Sequence, residues 1–313
     1  MKKEEFGIPS GDQMHTLHAI CWAPEGEIRA SLQLVHGMVE FIDRYHDFAS
    51  YLCGLGIAVI GHDHLGHGQT AGRDEDLGYF AGDGGEQLII EDMYRLTEEM
   101  KRRFPSVPHF ILGHSMGSFC LRKYLTYYGN QVDGAIIMGT GDFPLALAKA
   151  GKAMAGFLMR HKGPRYRSKK LANLVFQGYL KGIENPRTSV DWLTKDEAVV
   201  DAYRSNKYNT FIFTVSAYHD FFEIIEYDTK MIHLERIPRD LPIFIVSGDC
   251  DPVGSWGAGP KSLYGKYREN GFGDVQLKLY AEDRHEILNE TDRETVYKDL
   301  GDWLQEKIRK IQK

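Results

Sequence analysis

Cysteine is scarce: four residues in 313, Cys21, Cys53, Cys120 and Cys250, each isolated in the chain. No CxxC pair and no Cys/His zinc spacing can be drawn among them. They read as buried, reduced thiols of a cytosolic protein. Long hydrophobic runs are missing as well. The apolar stretches, such as 57–60 and 243–246, are strand-length and far from the roughly 20 residues of a membrane span. The N-terminus, Met1-Lys2-Lys3-Glu4-Glu5, leads to Phe6, Gly7 and Ile8 and then to polar residues. It contains no signal-peptide core, so a cytoplasmic location is expected and export is not. Excess positive charge is the third absence. With 38 Lys and Arg against 44 Asp and Glu, the net charge is -6, which weighs against nucleic acid as the main partner. What remains is an ordinary globular composition, 42% hydrophobic and 26% charged, in a chain long enough for one large domain with an insertion or for two domains.

Two regions alternate between strand and helix patterns. In the first, strands are expected over 15–21, 29–35, 57–61, 109–113 and 134–138. The later ones are near-continuously Ile, Val and Leu, as strands buried on both faces of a parallel sheet read. Helical spacing of apolar residues marks 43–55 and 86–103, and a third helix follows Ser115. The rhythm returns near the end, with strands at 242–247 and 275–280 and helices at 260–269 and 292–311. Such alternation implies an α/β doubly wound sheet. The middle, 142–236, has helical stretches at 146–158, 169–180, 192–203 and 210–225 and no convincing buried strand. It reads as a helical insertion between two sheet strands. The expected division is therefore 1–141 and 237–313 for the core and 142–236 for the insertion.

Gly113-His114-Ser115-Met116-Gly117 matches G-x-S-x-G, a strand-to-helix turn that aims a serine hydroxyl outward. The flanking positions need small residues because the backbone turns so tightly. In a chain with 33 glycines the pattern alone is weak. Its context gives it weight, because a buried strand pattern precedes it and a helical one follows. A serine placed there needs an oxyanion hole, a base and an acid. His36-Gly37 follows the strand ending at Val35, where such an H-G pair is the usual sign of the hole. The two backbone N–H donors would be those of Met38 and Met116, whose side chains are free to vary. His36 and Glu40 read as residues that hold the loop's shape. Asp249 and Asp251 both follow the strand 242–247. Asp251 is favoured, since it lies in the loop before Pro252, whereas Asp249 sits at the strand end. His285 follows the strand 275–280. The order Ser115, Asp251, His285 is the one this arrangement uses.

These segments, together with Gly61-His62-Asp63-His64-Leu65-Gly66-His67-Gly68 and Arg284-His285-Glu286-Ile287-Leu288-Asn289-Glu290, resemble the monoacylglycerol lipase and lysophospholipase branch of the α/β-hydrolases. The resemblance runs from about residue 30 to 305. It implies the α/β-hydrolase fold: an eight-stranded, mostly parallel sheet with helices on both faces and a helical cap over the active site. It also implies acyl-ester hydrolysis with no cofactor. Carried across, Ser115 is the nucleophile, His285 the general base and Asp251 the acid that orients it. The expected substrate is a small acyl ester or lipid, a monoacylglycerol or a lysophospholipid.

Other readings compete. The same triad could serve an acyltransferase, a thioesterase or a peptidase. Aminopeptidases of this fold often place Trp after the serine, where Met116 stands. Dehalogenases and epoxide hydrolases use Asp as nucleophile, which Ser115 argues against. The run 62–67 nearly spells the two-metal pattern H-x-H-x-D-H, but Gly66 occupies the aspartate position. A tight turn with structural histidines explains it as well as a metal site at His62, His64 and His67. A non-catalytic binding protein would not need all these elements together. The basic run 160–170 reads either as a solvated loop or as a peripheral contact of the cap with anionic lipid. The aromatic group Phe211, Phe213, Tyr218, Phe221 and Phe222 reads either as an acyl pocket or as core.

Overall fold

The computed structural model of the chain describes residues 1–312. Eight strands form one sheet: β1 (Lys2–Pro9), β2 (Thr16–Ala23), β3 (Ala30–Val35), β4 (Ile57–His62), β5 (His109–His114), β6 (Gly134–Met138), β7 (Ile243–Gly248) and β8 (Val275–Tyr280). Their order across the sheet is β1-β2-β4-β3-β5-β6-β7-β8. β2 pairs antiparallel with β1 and β4, and every other pair is parallel. Seven strands fall where the sequence pattern puts them. The eighth, β1, brings the sheet to the eight strands the resemblance implied, but the residue pattern did not place it. It is a solvated edge strand whose residues are mostly exposed, so neither a buried run nor a clean alternation marks it.

The helices are α1 (His46–Gly54), α2 (Gly85–Arg103), α3 (Met116–Tyr128), α4 (Leu145–Lys162), α5 (Lys169–Val175), α6 (Glu197–Ser205), α7 (Val215–Asp228), α8 (Ala258–Glu269) and α9 (Arg293–Ile311). Successive strand residues point to opposite faces. Ile111 and Ile137 pack with residues of α2, α3 and α8. Phe110, Leu112 and Ile136 pack with α1 and α9 on the other face. Among the described residues no helix is long and apolar enough to cross a membrane.

α4 to α7 all lie between β6 and β7. Three of them differ from the sequence pattern by five residues at one end, and α5 stops at Val175 and not at 180. α6 begins at Glu197 and not at 192, because the Asp196 side chain accepts from the N–H groups of Ala198 and Val199 and caps it there. α7 begins at Val215, capped by Thr214. The basic run is partly structural. Arg165 pairs with Asp76, and Arg167 donates to the carbonyls of Leu77 and Ile212. These contacts tie the segment to the loop before α2 and to the stretch before α7. Three of the cysteines are buried as expected, but Cys250 is exposed, since it lies in a surface loop next to Asp251.

Packing of α7 on the core buries Asp220, whose Oδ2 has no hydrogen-bond partner. Burial pushes its pKa up from 3.8 to about 7; Glu223 and Asp83 add to the rise and Lys123 opposes it. A carboxyl raised in the folded state favours folding when protonated. Its contribution is therefore lost as pH rises from its ordinary value through about 7. Asp220→Asn is expected to change the melting temperature little near pH 4. The gain should grow to roughly 3–6 °C by pH 8 and then level off. Scanning calorimetry across that range checks it, and a gain independent of pH would contradict it.

Candidate active site

β3, β5, β7 and β8 run parallel, so the loops after them emerge at one edge of the sheet. That edge is where open α/β sheets place their ligands. Met38, Ser115, Asp251 and His285 all lie there, after β3, β5, β7 and β8.

Ser115 joins β5 to α3 with φ +53° and ψ -123°, a conformation that costs a non-glycine residue free energy. The turn is tight enough to explain the glycines. A Cβ on Gly113 would lie 2.3 Å from the Gly117 carbonyl oxygen, and one on Gly117 would lie 2.2 Å from that of Val35. Hence α3 starts directly against the end of β3, beside the loop His36-Gly37-Met38. Gly37 is also close-packed, since a Cβ there would approach the Ser115 Cβ to 2.9 Å. Among the described residues, neither the N–H of Met38 nor that of Met116 donates to a protein acceptor. The Ser115 hydroxyl makes no protein hydrogen bond either.

Asp251 and His285 are brought together. His285 Nδ1 donates to Asp251 Oδ2 at 3.0 Å, and both side chains are buried. Asp251 Oδ2 also accepts from the Ser247 hydroxyl (3.2 Å) and Oδ1 from the Val253 N–H (2.8 Å), so the carboxylate is fixed from three sides. Asp249, the competing acid, instead accepts from the Glu282 N–H and does not reach the histidine. The His285 ring lies against Trp192, with centroids 5.0 Å apart. The backbone N–H groups of His285 and Glu286 donate to the carbonyls of Trp192 and Leu193. The sequence pattern put Trp192 in a helix, whereas it lies in the turn before α6 and supports the histidine loop.

Beneath the site is a buried charge network that sequence reading missed, apart from Glu40. Glu40 Oε1 accepts from the Gly37 N–H (2.5 Å), the Tyr45 hydroxyl (3.0 Å) and His114 Nδ1 (3.0 Å). Arg44 bridges Glu40 (3.0 Å) and Glu286 (2.8 and 2.6 Å). His114 Nε2 donates weakly to the His285 carbonyl (3.4 Å). Burial alone would push a carboxyl up, but the His114 hydrogen bond and the Arg44 guanidinium outweigh it and hold Glu40 well below the usual carboxylate range. Burial likewise disfavours a charged His114, and the Glu40 contact reverses that and raises it. The network therefore clamps the H-G loop, the elbow and the histidine loop together. Its only sequence signal was adjacency, with His114 beside the serine and Glu286 beside His285.

Ser115, His285, Met38 and Met116 open into one cavity of about 710 Å³, within the usual size for a small-ligand site. Its walls beyond the polar end are apolar, with Phe119, Phe143, Leu147, Phe176 and Ile225 among them. The aromatic group divides. Phe211, Phe221 and Phe222 line the cavity, while Phe213 and Tyr218 are packed in the core.

The histidines near residue 62 form a buried cluster with His36, their rings tilted or edge-to-face to one another. The centroids of His36 and His64 are 4.3 Å apart, and those of His36 and His67 5.0 Å. Burial holds His62 and His67 neutral, both lowered to about 3. His36 Nδ1 donates to the Gly37 carbonyl, and its Nε2 accepts from the His64 N–H. His67 donates to the Leu65 carbonyl and accepts from the Val39 N–H. Among the described residues no three His, Cys, Asp or Glu side chains are placed to hold a metal ion together.

The chain is similar along nearly its whole length to two lipases and an esterase. It is 25% identical to the monoglyceride lipase of Mus musculus, covering 96% of this chain and 93% of the relative. It is 24% identical to the monoacylglycerol lipase of Mycolicibacterium smegmatis, covering 90% of each. Among solved structures, a thermostable carboxyl esterase from Bacillus coagulans in complex with glycerol superposes with a TM-score of 0.91. It shares 27% identity over 98% of this chain and 99% of that one. Residues 26–292 match the family model described as serine aminopeptidase, S33, and the chain belongs to that family of α/β-hydrolases.

Proposed function

We propose that the protein is a serine hydrolase that cleaves carboxylic acyl esters through an acyl-enzyme on Ser115, with monoacylglycerol or lysophospholipid as the substrate class. The observation that carries this reading is the buried Asp251–His285 hydrogen bond at the end of an apolar cavity into which the strained Ser115 also opens. His285 takes the Ser115 proton as the hydroxyl attacks the ester carbonyl. The N–H groups of Met38 and Met116 stabilise the oxyanion. His285 protonates the departing alcohol, water then attacks the acyl-enzyme, and the acid leaves. Asp251 keeps the imidazole in the tautomer that can accept at Nε2. The apolar wall suits an acyl chain, and the segment 142–236 is read as a cap that closes over it.

The family description favours a second reading, an aminopeptidase. Such an enzyme needs a carboxylate free to bind the substrate's ammonium. The two carboxylates at the cavity, Glu40 and Glu286, are both paired with Arg44, so the ester reading is preferred. Initial rates on monoacylglycerols, lysophosphatidylcholine, an acyl-CoA thioester and an aminoacyl p-nitroanilide decide between them. Oxygen esters are expected to exceed the anilide by at least about 10²-fold in kcat/KM. The reverse order would overturn the substrate class.

A further inference from the structure

Val39 is β-branched and sits at φ +57°, in the left-handed region that such side chains rarely adopt. A conformation of this kind persists only where the surroundings hold it. It follows Met38 directly, and three hydrogen bonds hold it from two directions. From the core, His67 Nε2 accepts from the Val39 N–H at 3.3 Å. From the segment between β6 and β7, the Tyr203 hydroxyl donates to the Val39 carbonyl at 3.0 Å and Asn209 Nδ2 donates to the same oxygen at 2.9 Å. The Tyr203 ring is itself fixed by the Arg44 guanidinium, 5.0 Å from its centroid. On the other side of Met38, the Gly37 N–H is held by Glu40. Met38 is thus suspended between one anchor in the core and one supplied largely by a distant part of the chain.

We infer that Tyr203 and Asn209 are positioning residues for the oxyanion hole. By holding the Val39 carbonyl they keep the backbone at φ +57° and so keep the Met38 N–H aimed at the reacting carbonyl. This rests on the proposed role of Met38 as a hole donor. Without the two donors, Val39 relaxes toward negative φ, the shift passes through Met38 to the Gly37–Met38 peptide that carries the donor N–H, and the hole loses part of one donor. Residues of a cap that merely lined the pocket would change substrate binding. These two change the chemical step, because the oxyanion exists only in the transition state and the intermediate.

The test compares wild type, Tyr203→Phe, Asn209→Leu and the double variant, with Ser115→Ala as control. The readouts are kcat and KM on p-nitrophenyl butyrate. Inhibition is measured with an alkylboronic acid, which forms a tetrahedral anion on the serine, and with an unreactive alkyl glycerol ether. A whole hole donor is worth about 10²–10³ in rate, so each single variant should lose about 3–10-fold in kcat and the double about 10–100-fold. KM and the ether's inhibition constant should stay within about twofold, while boronate affinity falls in step with kcat. Adding Val39→Gly to the double variant should restore most of the loss, since glycine adopts positive φ freely. An unchanged kcat in folded variants would overturn the inference. So would a loss that appears equally in the ether's affinity. If the double variant does not fold, Tyr203→Phe, which removes a single hydroxyl, decides alone. Undiminished activity in Ser115→Ala would instead overturn the reading on which the inference rests, a result the other variants cannot mimic.

Discussion

Ser115→Ala should lower kcat for acyl esters by about 10⁴–10⁶-fold while the protein stays folded. In the proposed mechanism the hydroxyl carries the nucleophilic step, so its loss removes the acyl-enzyme route altogether. What remains is whatever rate the hole and the binding pocket give to direct attack by water, about 10³–10⁴ above the uncatalysed reaction. Stability should hardly change, because the Ser115 hydroxyl makes no hydrogen bond within the described residues and alanine meets the same backbone demand at φ +53°. Steady-state kinetics with thermal melting checks both halves. Activity within about tenfold of wild type would show that another group does the chemistry.

The second large effect separates two neighbouring acids. Asp251→Asn should cost about 10⁴ in kcat, because an amide facing His285 Nδ1 stabilises the wrong tautomer and cannot support the imidazolium. Asp249→Asn should stay within about threefold, since its carboxylate only accepts from the Glu282 N–H at the surface side of the loop. The pair is informative because both residues follow the same strand and differ in sequence context only by the proline after Asp251. A large loss in Asp249→Asn with a small one in Asp251→Asn would reverse the assignment and contradict the geometry.

Much of the sheet was legible because its strands are buried on both faces and read as unbroken apolar runs. The residues at the sheet's edge were legible for a different reason. The proposed chemistry restricts which residue types can follow each strand, and Ser115, the His36-Gly37 pair and His285 stand at those positions in the sequence. β1 was not legible, because an exposed edge strand lacks a burial pattern. The boundaries of α6 and α7 were misplaced because apolar spacing continued upstream, while the capping side chains of Asp196 and Thr214 set the true starts. Most of the charge network stayed hidden. Arg44 and Glu286 are 242 residues apart, and nothing in a single sequence reports that two such residues meet in a buried pair. The support that Trp192 gives His285 was hidden for the same reason.

The measurement closest to the central claim is labelling with a fluorophosphonate, read by intact mass and by peptide mapping, on wild type and Ser115→Ala, with and without EDTA. An activated serine attacks such a probe and keeps it as a stable tetrahedral adduct. The account predicts one adduct per chain, mapped to Ser115, absent from the alanine variant and indifferent to EDTA. A folded wild-type protein that takes up no label, or a label that maps elsewhere or vanishes with EDTA, would contradict it.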